Sequence, residues 1–294
     1  YASIGVVTSN QAQHASLLNT IEGCFMLGVL SGYWIFAYFM DPLQPASAGW
    51  LEVYWWLAAL AAINLLLLLS TPFPRLVLPP VTHAAEDFFD MLRLVYRPLV
   101  FVFVLSAFLY VLIEQGIGSW LPTFNNEVLA LPNQLSVQLT SIFAASLALG
   151  RILAGVVLKK ISWYSLLNGC LLAMALLIIL TLPLTHDIHV DADVSLLSAP
   201  LAAYLFPLIG LFMAPVYPVI NSVILSALPK AQHAAMTGLI VVFSALGGTT
   251  GSMVTGYTFA NFNGQTAFYL CLLPLSLLLL SVGLFHRQSK LVTV

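Results

Sequence analysis

Of 294 residues, 61% are apolar and only 7% are charged, where soluble domains carry roughly 45–50% and 25%, so a water-soluble globular fold is excluded. A formal net charge of −2 supplies no basic surface for nucleic acid, and none is expected as a partner. Cys24, Cys170 and Cys271 lie inside apolar runs with no CxxC or Cys/His spacing; they read as small buried hydrophobes, and no disulfide, metal or cofactor is expected.

In chain order, residues 1–10 read as the end of a span and Ala15–Met40 as the first full crossing of an all-α integral membrane protein. Asp41–Gly49, with Pro42 and Pro45, turns the chain, and Trp50–Ser70 crosses back. The loop Thr71–Pro98 contains EDFFDMLRLVYR, in which Phe88, Met91, Leu92 and Val95 share one helical face suited to the membrane interface. Leu99–Trp120 is the next span, and a polar turn with Asn125, Asn126 and Glu127 is expected to follow it. Leu135–Val157, Ser165–Leu184, Leu201–Leu228, Met236–Phe259 and Thr266–Phe285 complete about eight crossings. The acidic loop THDIHVDADVS precedes Leu201, and HRQSKLVTV forms a short polar tail. Neither an initiator Met nor a signal peptide is legible at Tyr1, so a missing N-terminal segment is expected.

Counting crossings from the 71–98 loop puts Arg75, Arg93, Arg97, Arg151, Lys159, Lys160, Lys230, Arg287 and Lys290 on one side. Asp41, Glu52, Glu127, Asp187, Asp191 and Asp193 fall on the other. The positive-inside rule makes the basic side cytoplasmic, together with the C-terminus, and a multi-pass cell (inner) membrane protein is expected. Trp50, Trp55, Trp56 and Trp120 lie near the outer ends of their spans, as an aromatic belt requires.

The residue that most needs an explanation is Glu114, inside LVFVFVLSAFLYVLIEQGIGSW. A carboxylate at membrane depth costs about 2.5–3.5 kcal/mol on insertion scales, so it implies a cavity, a partner or a proton. Gln115 adds an amide, and Gly116 and Gly118 let the backbone bend or open beside it.

An internal repeat links the two ends of the chain. Ala12-Gln13-His14-Ala15 matches Ala231-Gln232-His233-Ala234, and without a gap Gly28-x-x-x-Gly32 falls on Gly247-x-x-x-Gly251 and Tyr38 on Tyr257. Small residues at this spacing read as close helix packing. Glu22 corresponds to Val241, so its carboxylate is an addition to a shared scaffold, with a proton, ion or substrate role or a local snorkelling role both open.

The run G150-R151-I-L-A-G155-V-V-L-K159-K160 between two spans, the basic loop and the duplicated bundle resemble a major facilitator superfamily transporter. That resemblance implies a helical bundle with about eight of an expected twelve spans present. Residues 1–70 would be the remainder of the N-terminal bundle, 71–98 the inter-bundle loop and 99–294 the C-terminal six-helix bundle. The runs G210-L-F-M-A-P215-V-Y217-P218-V-I-N221 and S244-A-L-G-G-T-T-G-S252 are similar to the fucose permease branch of sugar and proton symporters. That branch uses carboxylates of its first and fourth spans, which lie outside this window, so sugar specificity is an analogy.

The expected site follows: Glu114, Gln115, Tyr217 and Asn221 bind a small hydroxylated solute, and Glu114 and Glu22 carry the proton. Gly116, Gly118, Arg151, Pro215 and Pro218 serve gating, Arg151 by resemblance to the family's cytoplasmic gate motif. The function expected is alternating-access secondary transport of a solute, a sugar by analogy, with protons across the lipid bilayer. Proton-driven export of amphipathic compounds is the alternative, which Phe103, Phe108 and Tyr110 keep open; a non-transporting receptor or assembly factor is a third. No HExxH, GxSxG or P-loop is present, so an enzyme is not expected.

Overall fold

The computed structural model describes residues 11–41, 47–72, 89, 91–186, 194–228 and 232–292, with the side chains of all of these except 11–23, 226, 234 and 290–292. Among them every regular element is helical. Among the described residues seven stretches are long and apolar enough to cross a bilayer; α1 (Gln11–Tyr38), where a further crossing is expected, is a 28-residue helix whose described apolar part, Cys24–Tyr38, is shorter than these. The interfacial helix expected around Phe88 lies mostly outside the described residues; at its described end, Met91 is buried.

A short 3₁₀ turn, Ala48–Glu52, leads into α2 (Val53–Ser70), whose apolar window is only 6% buried. By contrast α3 (Pro98–Glu127) is 61% buried over its apolar window and is the centre of the bundle. Its start is fixed by Pro98 at the first turn, where the missing N–H costs nothing. Its end lies about two turns beyond the Trp120 expected, so the residues of the expected polar turn are helical, because those amides find acceptors across the next connection. Asn125 Nδ2 donates to Ser136 O at 3.1 Å and Asn126 Nδ2 to Leu131 O at 2.7 Å. The reversal comes at Val128–Pro132, where Ala130 takes φ 53°, the left-handed region.

Then follow α4 (Asn133–Val157) and α5 (Trp163–Thr181), the latter capped by Ser162 and extended by a 3₁₀ turn, Leu182–Thr185. The span from Leu201 is broken as its prolines require: α6 (Leu201–Leu205), a 3₁₀ turn Phe206–Leu208, α7 (Ile209–Met213), a turn at Ala214–Pro215, and α8 (Val216–Ala227). A long unbroken α9 (His233–Asn261) follows, then α10 (Gly264–Leu270) and α11 (Leu272–Val292). Pro274 deprives the Leu270 carbonyl of its i+4 donor, which accounts for the interruption at Cys271. The tail expected to be non-spanning and polar continues α11 through Val292, since Gln288, Lys290 and Leu291 are all good helix formers.

Helices α3 and α9 run parallel in main-chain contact. A Cβ added to Gly247 would lie 2.4 Å from Phe108 O and one on Gly251 2.1 Å from Leu112 O, so both residues advance together along the two helices. Gly116 continues the seam, its Cβ position 2.8 Å from Thr255 Oγ1. At the basic-loop end Arg97 Nη1 donates to Gln232 Oε1 at 2.9 Å, which ties the starts of the same two helices. The first copy of the repeat differs: among the described residues no atom comes within 4 Å of a Cβ on Gly28 or Gly32. Among the described residues the packing expected of both glycine pairs is seen at Gly247 and Gly251.

α1 packs on α4 toward the acidic-loop end, where Trp34 Nε1 donates to Ser141 Oγ at 3.2 Å. A cavity of about 320 Å³ beside that contact is lined by Val29, Gly32, Tyr33, Phe36, Met40 and Val137.

Candidate functional site

The site is assembled from helices far apart in sequence, and the close approaches described above decide what meets. Gly150 makes a further one. A Cβ there would lie 2.2 Å from Leu211 O, so only glycine lets α4 press against the main chain of α7. Leu211 O is also the carbonyl whose i+4 donor Pro215 removes, and Pro218 does the same to Ala214 O. The broken span and the glycine thus fit one another, and Arg151 follows Gly150 directly.

Glu114 is half-buried on α3, one turn beyond the fully buried Tyr110, whose Oη donates to Glu114 Oε1 at 3.1 Å. Arg151 is close enough for its charge to act on both groups. The Tyr110 ring stacks on that of Tyr217, with centroids 5.4 Å apart and planes inclined by 23°. Tyr217 Oη in turn lies 2.9 Å from Ser244 Oγ on α9. A carboxylate, a guanidinium, two phenols and a hydroxyl from α3, α4, α8 and α9 therefore converge within an apolar bundle. The arrangement suits a charge that must be neutralised or protonated and a solute that offers hydroxyls.

The remaining expected site residues fall around this centre. Asn221 stands one turn beyond Tyr217 on α8, and its buried Oδ1 accepts no hydrogen bond among the described residues, leaving an acceptor for water or solute. Gln115 is exposed, its Cγ 3.1 Å from a Cβ position on Gly248, and Ser119 Oγ donates to its Oε1 at 3.5 Å. It belongs to the open side of α3 beside α9, whereas Glu114 turns toward Tyr110 and Arg151. Gly116 and Gly118 sit within unbroken α3, the first against Thr255 and the second with a Cβ position 3.2 Å from Phe143 Cε1. Pro215 is buried and Pro218 exposed at the α7–α8 break. The Glu22 side chain lies outside the described residues.

Tyr110 enters the sequence reading only as an aromatic an exporter's pocket would use, and Ser244 does not enter it as a site residue. Tyr110 precedes Glu114 by four residues, so the helical i, i+4 spacing already offered the pairing. Ser244 gave no signal beyond its place in a small-residue run, because its partner is 27 residues away on another helix.

Comparison with known proteins agrees with this architecture. The sequence profile of the Major Facilitator Superfamily matches residues 2–203. A curated relative, Bypass of stop codon protein 6 of Saccharomyces cerevisiae, is 24% identical over 209 residues, which cover 71% of this chain. The chain spans 41% of that relative's length. The fold resembles a crystal structure of a bacterial homologue of the human lysosomal transporter Spinster, in an inward-facing and unoccupied conformation, with TM-score 0.62 and 15% identity. The match covers 95% of this chain and 71% of the other. A multi-pass helical bundle of this form, matched to the family over more than half its length, makes the chain a member of the Major Facilitator Superfamily.

Proposed function

We propose that this chain is part of a secondary active transporter that imports a small hydroxylated solute, a sugar by class, together with protons. The observation that carries the reading is the Glu114 carboxylate, held within a membrane span by Tyr110 and acted on by Arg151. Such a group is expensive to keep at depth unless its charge changes or is matched during the working cycle. Glu114 takes up the proton, and Arg151 is the counter-charge it meets when ionised. Tyr217, Asn221 and Gln115 present hydroxyl and amide groups to the solute; the free Asn221 Oδ1 supports a hydroxylated ligand.

Alternating access follows from the elements. The Trp34–Ser141 contact closes the acidic-loop end of α1 and α4, which supports a conformation open toward the basic-loop side. Pro215 and Pro218 form the pivot of the broken span, Gly116 and Gly118 let neighbouring helices slide closely past α3, and Arg151 joins gate and site. Glu22 is a second proton-carrying candidate on α1. In this reading the basic loop and the C-terminus are cytoplasmic and the protein resides in the cell (inner) membrane.

Export of amphipathic compounds fits less well. Of the aromatics that would form an exporter's pocket wall, Phe103 and Tyr110 are buried between helices, Phe103 against Phe285 at 6.1 Å. The test is uptake into sealed vesicles with a sugar panel, with and without an imposed proton gradient. Glu114→Gln is expected to abolish gradient-driven uptake; wild-type uptake in that variant would remove Glu114 from the mechanism.

A further inference from the structure

The Tyr217–Ser244 contact joins two parts of the bundle built very differently. Helices α3 and α9 form a rigid pair, locked by main-chain contact at Gly247 and Gly251, and Ser244 lies one turn before Gly247 on that frame. Helix α8 starts immediately after the Ala214–Pro215 turn with no side-chain cap, and Pro215 and Pro218 remove two of the donors that would bind it to the preceding turn. Tyr217 is on the first turn of this segment, and its ring covers Tyr110, the residue that donates to Glu114.

We propose that Ser244 is a positioning residue of the Glu114 site: by binding the Tyr217 hydroxyl it holds the Tyr217 ring over Tyr110, so that the Tyr110 hydroxyl stays on the carboxylate. The inference rests on the proton-coupled reading of Glu114. Among the described residues, the charged or titratable groups bearing on Glu114 are Tyr110 from its own helix, Arg151 from α4 and Tyr217, through Tyr110, from α8. When α8 pivots at Pro215, Tyr217 leaves Ser244 and Tyr110 loses its cover. The position of the broken span and the protonation of Glu114 are thereby linked through a single hydroxyl on the rigid frame.

The test is a double-mutant cycle in proteoliposomes, using Ser244→Ala, Ser244→Thr, Tyr217→Phe and the Ser244→Ala/Tyr217→Phe pair. Loss of one net hydrogen bond predicts that Ser244→Ala slows gradient-driven uptake about three- to tenfold, that Ser244→Thr restores it, and that Ser244→Ala adds nothing in the Tyr217→Phe background. Ser244→Ala also moves the pH of half-maximal uptake, whereas a packing defect lowers the whole profile with its midpoint fixed. A wild-type rate in Ser244→Ala, an equal loss in both backgrounds, or an unmoved midpoint would overturn the proposal. Glu114→Gln, run alongside, separates the two readings. Gradient-driven uptake surviving in Glu114→Gln overturns the coupled role of Glu114, while an inactive Glu114→Gln beside a fully active Ser244→Ala overturns only the Ser244 tie.

Discussion

The glycines of the two repeat copies show how one residue type in one register can serve differently. At Gly251 an added methyl group would meet Leu112 O at 2.1 Å, inside any permitted contact, and the obstacle is backbone that cannot rotate away. Gly251→Ala should therefore force α9 off α3 and cost about 1–3 kcal/mol, the range for overpacking a close-packed site. Gly32→Ala meets nothing and gains about 1 kcal/mol of helix propensity, so it should be neutral or slightly stabilising. Thermal unfolding of the two variants in detergent, followed by size-exclusion chromatography, measures the difference; equal melting would show that the α3–α9 seam tolerates separation. At Gly150 the same logic reaches the site. Gly150→Ala should push α4 away from Leu211 O, shift Arg151 with it and lower uptake while the protein still inserts.

At the scale of elements, continuous helices stand beside two interrupted spans, the lightly broken α10–α11 and the more divided Leu201–Ala227. Prolines at 207 and 215 divide the Leu201–Ala227 segment into three helices, with Pro218 in the first turn of the last, whereas α3, with Pro122 inside it, runs unbroken for 30 residues because it is packed on several sides. The broken span thus lies beside the closely packed α3–α9 pair, the arrangement that the proposed rocking would use. The α1–α4 contact is the complementary element, in the proposed cycle a closure, and it is made by apolar packing and one hydrogen bond. A single such bond is worth about 0.5–1.5 kcal/mol, enough to change the open population severalfold. Trp34→Phe or Ser141→Ala should accordingly raise labelling of a cysteine at Val137 by a membrane-impermeant maleimide, in a Cys24→Ser background because Cys24 is exposed. Unchanged labelling would show that apolar contacts alone keep this end shut.

For the whole molecule, the contiguous core runs from Met91 to Phe285, and among the described residues before it only Ala37 and Val53 are buried hydrophobics. The core from Met91 to Phe285 should therefore unfold in detergent at nearly the same temperature with or without residues 48–70; a large drop would mean that α2 supports it. Much of this plan is written in the sequence. The crossings follow from hydropathy, since a bilayer demands about 20 apolar residues whatever their neighbours, and the breaks at Pro207 and Pro215 follow from a missing N–H. Glu114 is conspicuous for the same local reason, a charge where solvation fails. What the sequence could not decide is which groups meet. That Tyr217 stacks on Tyr110, that Ser244 holds it, that Trp34 reaches Ser141, and that Gly247 rather than Gly28 lies against a neighbouring backbone depend on helix rotation and spacing. In a chain apolar nearly all round, local pattern fixes where helices start and stop but only weakly which face turns inward; main-chain contact at a few glycines and a handful of interhelical hydrogen bonds make that choice.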